Sequence, residues 1–115
     1  MIEKIDYKTY LINKKSIVFP CRVWDIRLFE KNKSIITNIW PEKTDIEYNL
    51  EYKYPPFKNI RCYDMEGNLK WIFPLGITGI GKADEDTVTP FDGEYLHYVD
   101  VATGIEDKNK MRFLK

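Results

Sequence analysis

Alanine is almost missing from this 115-residue chain, standing only at Ala83 and Ala102, and with it goes the residue that most favours helix. Histidine occurs once, at His97. A histidine-rich metal centre is therefore excluded, and Ser-His-Asp or Cys-His chemistry would have to be built around that one ring. Cys21 and Cys62 stand too far apart to form the close Cys-x-x-Cys pairs of zinc or redox sites. They read as buried free thiols, the form expected in a reducing compartment. Nowhere do about eighteen apolar residues run together, so no segment satisfies the requirement for a membrane-spanning helix. Residues 1–15 also lack the apolar core of a secretory signal. The expectation is a soluble cytoplasmic protein, one domain in length.

Aromatic residues make up 15% of the chain, and they fit a pleated, half-buried surface better than a helix. Apolar residues recur with period two far more often than with period 3.6. Residues 45–53 alternate most cleanly, with Ile46, Tyr48, Leu50 and Tyr52 on one face and Asp45, Glu47, Asn49 and Glu51 on the other. Residues 22–29 place Trp24, Ile26 and Leu28 together, and residues 33–40 follow after a short loop as the second half of a hairpin. Residues 59–64 and 69–73 flank a Met65-Glu66-Gly67-Asn68 turn. Further strands are expected at 16–19, 94–101 and 110–114, and a short helix only within residues 1–10. Pro20, Pro41, Pro55, Pro56, Pro74 and Pro90 fall between these runs, where a missing N–H does not interrupt a ladder. The fold class is all-β and mainly antiparallel: a sandwich, a small barrel or blade-like twisted sheets.

The stretch from Ile60 to Phe73, with Asp64 before the turn, Gly67 in it and Trp71 on the returning strand, resembles the outer hairpin of a quinoprotein-type β-propeller blade. A fainter echo, Tyr98 to Gly104 with its aspartate-to-glycine turn, lacks the tryptophan that should follow. A propeller takes at least four blades of about 40 residues, more than this chain holds. The resemblance implies local hairpin geometry and transfers neither cofactor nor active site.

Gly76-Ile77-Thr78-Gly79-Ile80-Gly81-Lys82 has the glycine and lysine spacing of a phosphate-binding loop. The next residue is Ala83 rather than the Ser or Thr that holds magnesium, and Asp84-Glu85-Asp86 opens no helix for an anion. The glycines are read instead as permitting a bulge or a close approach of two backbones. His97 alternates with Tyr95 and Val99, the setting of a hydrogen-bonded structural histidine rather than a catalytic one. An oxygen-ligand metal site among Asp84, Glu85, Asp86 and Asp92 would not have the spacing of an EF-hand loop. No cofactor, metal or catalytic residue is expected.

The formal charge is zero, yet it is unevenly spread: the balance is +3 over residues 1–80, −7 over 81–107 and +4 over 108–115. A field of one sign attracts partners of the other and repels nucleic acid. The early lysines are broken up by acids and form no basic stripe, so nucleic-acid binding is not expected. Asp84, Glu85, Asp86, Asp92, Glu94 and Tyr95, extended by Asp45, Glu47 and Glu51, are the candidate contacts for a basic protein partner. A non-enzymatic inhibitor of a cationic, nuclease-type toxin is the concrete expectation, and the abundance of Lys, Ile, Asn and Tyr resembles that of small bacterial immunity proteins. The alternative is a small-molecule-binding barrel or sandwich in which Trp24, Trp40 and Trp71 line a cavity.

Overall fold

Alternating side chains need a covered face, and this chain meets that need by stacking sheets. The computed structural model describes residues 1–40 and 58–114, which form three antiparallel sheets. Strands β1 (Ile2–Lys4), β2 (Thr9–Ile12) and β3 (Lys15–Val18) make the first sheet. The second is a meander of β4 (Arg22–Phe29), β5 (Ser34–Trp40), β6 (Ile60–Asp64) and β7 (Leu69–Ile72). The third contains β8 (Gly79–Asp84), β9 (Thr87–Phe91), β10 (Tyr95–Leu96), β11 (Val99–Asp100) and β12 (Arg112–Phe113). Among the described residues no sheet closes into a barrel. Among the described residues no helix is long and apolar enough to cross a membrane.

The middle sheet is covered on both faces. Ile35 and Ile39 of β5 join Tyr10, Ile12, Ile17 and Phe19 in one apolar cluster. Ile36 of the same strand joins Val88, Val99, Val101 and Phe73 in another. Because successive side chains of a strand point to opposite faces, this double coverage is why β5 is buried at six successive positions. Asn59 ties the second cluster together: its amide donates to the Ile77 carbonyl at 2.8 Å and accepts from the Ile77 N–H at 2.8 Å.

Several expectations need correction. Residues 1–10 form no helix; Ile2 pairs with Ile12 and Lys4 with Tyr10, around a turn in which Asp6 accepts the N–H groups of Lys8 and Thr9. The one helix among the described residues is a 3₁₀ turn, Glu30–Asn32. Trp24 does not share a face with Ile26 and Leu28, because the register shifts between Val23 and Asp25, and Trp24 is left 68% exposed at this bulge. Pro90 lies within β9, opposite Ile80, where its carbonyl accepts the His97 N–H at 2.8 Å. Around the glycines expected to allow close approach, a Cβ at Gly81 would sit 2.7 Å from Thr89 Oγ1, and a register shift follows between Lys82 and Asp84.

Candidate binding surface

Strand β9 sets the geometry of the acidic region. Its five residues put the turn at 84–86 at one end and the turn at 92–95 at the other, about 17 Å apart. The expected acidic contacts therefore fall in two places. Asp45, Glu47 and Glu51 lie outside the described residues.

At the first turn, Asp84 Oδ1 accepts the Asp86 N–H at 2.8 Å. Asp86 meets Lys31 Nζ at 2.8 Å and the Asn32 amide at 3.1 Å, so that the bond from Lys31, and then the bond from Asn32, hold its carboxyl below the usual range. Glu85 pairs with Lys82 at 2.8 Å. Two of the three carboxylates at this turn thus already have cations of the chain itself.

At the second turn, Asp92 Oδ1 accepts from the N–H groups of Glu94 at 2.8 Å and Tyr95 at 2.7 Å, while Gly93 takes the positive φ of 103° that the tight turn requires. Asp92 Oδ2 lies 2.8 Å from His97 Nε2, and Glu106 Oε2 lies 2.6 Å from His97 Nδ1. With the side chain 4% exposed and both nitrogens engaged, the ring has none left for a nucleophile or a substrate. His97 is buried and hydrogen-bonded through both ring nitrogens.

Strand β10 continues into β11 in one register against β9, with Leu96 opposite Phe91 and Val99 opposite Val88. The inward face carries His97, Val99 and Val101. Tyr95 emerges at its end, 38% exposed, and pairs across the strands with Phe113, 56% exposed, at a ring-centroid distance of 5.2 Å. Leu114 and Met111 are exposed nearby in sequence, and the Leu114 N–H donates to the Glu94 carbonyl at 2.8 Å. The Glu94 side chain is exposed and makes no ion pair among the described residues. Arg112, opposite Leu96, brings part of the basic carboxyl-terminal charge alongside the acids.

Phe113 had no signal of its own beyond the expected strand at 110–114. Glu106 was one acid among many, and its partnership with a histidine nine positions away is a product of tertiary folding. Of the tryptophans, Trp24 is exposed, and Trp71 donates its Nε1–H to the Val101 carbonyl at 2.8 Å. A surface depression of about 280 Å³, lined by Met1, Glu3, Leu11, Asn13 and Lys14, contains none of the three. Among the described residues no group of three or more His, Cys, Asp or Glu side chains is arranged to hold a metal ion. No family model, curated protein or solved structure matches the chain.

Proposed function

We propose that the protein is a binding domain that covers a basic surface of a protein partner, with Tyr95 and Phe113 as apolar anchors and Glu94 as a charged contact at their rim. The observation that carries this reading is the exposed aromatic pair beside a carboxylate that no cation of the described chain neutralises. Aromatic side chains are the usual energetic centres of protein interfaces, and acids at the rim steer a cationic partner. The most concrete form is an intracellular immunity protein that neutralises a cationic, nuclease-type toxin.

The test is capture from native host cells with the parent chain and with Tyr95→Ala and Phe113→Ala as baits. A cationic protein held by the parent and lost or released at least about tenfold faster by both variants supports the reading. Equal retention by all three baits, or a partner that is not basic, overturns it.

A further inference from the structure

Both ring nitrogens of His97 face carboxylate oxygens, Glu106 at 2.6 Å and Asp92 at 2.8 Å. An ionised carboxylate only accepts hydrogen bonds, and a neutral imidazole has one N–H to give. The arrangement is satisfied when the ring carries both protons; a neutral ring would turn a lone pair toward one of the two oxygens.

The two carboxylates come from separate parts of the third sheet. Asp92 belongs to the turn between β9 and β10, and Glu106 to the segment that leaves β11 and leads to β12. Phe73, whose ring centroid is 5.4 Å from that of His97, covers it with an uncharged surface, and the charged groups acting on the ring are Asp92 and Glu106. Burial works against the charged ring, but the bonds to Glu106 and Asp92 outweigh it and raise the histidine above its ordinary pKa of 6.5. Burial also opposes ionisation of Asp92, yet the Tyr95 N–H, the His97 ring and the Glu94 N–H together hold that carboxyl below its ordinary 3.8.

We propose that His97 is a proton-operated latch: protonated, it fastens the segment at 105–114 to the turn between β9 and β10, and on releasing its proton to solvent it lets β12 loosen from β10. Strand β12 is held by two register pairs with β10, the bond from Leu114 to Glu94 and the Phe113–Tyr95 ring contact, while residues 105–107 are also tied down by the Asp100 N–H donating to Ile105 and the Asp107 N–H donating to Tyr98. The stabilisation is complete below about pH 6.5 and is lost as pH rises through the raised folded pKa. On the acid side it is lost as Asp92 becomes protonated below 3.8. Phe113 rides on β12, so the latch also governs the aromatic pair; that consequence rests on the binding reading, whereas the latch does not.

The experiment is methyl and aromatic NMR of the free protein, labelled at methionine methyls and the histidine ring and titrated from pH 5 to about pH 10, a range that spans the ordinary histidine pKa. The chain has one histidine and three methionines, so Met111 reports on the latched segment while Met65, in the turn between β6 and β7, serves as the internal control. The expected result is that Met111 shifts with the same midpoint as His97, above about 6.5, while Met65 stays still. Glu106→Gln, and independently Asp92→Asn, should lower the proton affinity of His97 at least about tenfold. The proposal is overturned if His97 titrates at or below its ordinary value, if it titrates with Met111 unmoved, or if either folded variant keeps the parent midpoint. The wild-type titration decides the matter even where a variant fails to fold.

Discussion

Trp71 covers Gly104 so closely that a Cβ at residue 104 would lie 2.6 Å from Cγ and Cδ2 of the indole. The glycine is also at φ +76°, a backbone region that side-chain-bearing residues rarely occupy. Returning strand β7 is thereby pinned to the turn that follows β11, and the Trp71 Nε1–H bond to Val101 fixes the indole in that position.

Gly104→Ala should consequently destabilise the fold by about 1–3 kcal/mol, through overpacking and backbone strain together. Trp71→Phe keeps most of the apolar contact and loses the bond to Val101, so a cost of about 1 kcal/mol is expected for the missing bond itself. Urea unfolding of the two variants checks both values, and a neutral Gly104→Ala would mean that the indole swings aside without cost.

Cys21 and Cys62 are buried thiols that form no disulfide with each other, which predicts that reducing agents leave the melting temperature unchanged. Burial pushes the Cys62 thiol up to about 11, against the opposing influence of Ser34 and Lys70. At pH 8 an aromatic disulfide reagent should therefore react slowly with the native protein and reach two thiols per chain only in denaturant. Rapid native labelling of Cys62 would contradict its enclosure between the second and third sheets.

Neutralising the turn at 84–86, with Asp84→Asn, Glu85→Gln and Asp86→Asn together, separates its two roles. Lys31 and Lys82 already engage two of these carboxylates, so the loss of attraction for a basic partner should be modest and should disappear as salt is raised. Glu94→Gln, at the other end of β9, should slow association more. Stopped-flow association at low and high ionic strength distinguishes them, and a triple variant slower than Glu94→Gln would move the centre of the contact to the first turn.

Much of the fold was legible because each half of its hairpins carries a clear alternation. The expected strand at 22–29 coincides with β4, and those at 33–40, 59–64 and 69–73 differ from β5, β6 and β7 by a residue at an end. The clean alternation at 45–53 lies outside the described residues. Strands β8 and β9 carry no legible alternation for a physical reason: glycine, threonine, lysine and a proline supply little periodic hydrophobicity, and their pairing is set by the neighbour they meet. Trp24 shows a different limit. A bulge reverses the inward and outward parity of the residues beside it, and no feature of the alternating pattern reports where it falls.

The candidate surface was half legible. Glu94 and Tyr95 stood out by charge and aromatic character, but the charge map along the chain overstated the charge map in space. Lys31 and Asn32 reach Asp86 from some fifty-five positions away, and β12 folds Arg112 back beside β10. Long-range pairing of this kind leaves no trace in local composition.

Among the described residues the three sheets occupy successive stretches of the chain; the first two pair only consecutive strands, and in the third β9 also pairs with β11 and β10 with β12. Most strand pairing can therefore begin before distant parts of the polypeptide meet, which lowers the loop-closure entropy that slows β proteins with Greek-key connections. The isoleucines of β5 oppose this autonomy. A nascent middle sheet would present Ile35 and Ile39 on one side and Ile36 on the other, and either bare face would be an adhesive surface until its outer sheet docked. Early hairpins and late, concerted docking are thus coupled in one strand, and a chain stopped before residue 79 would emerge with half of that strand's cover missing.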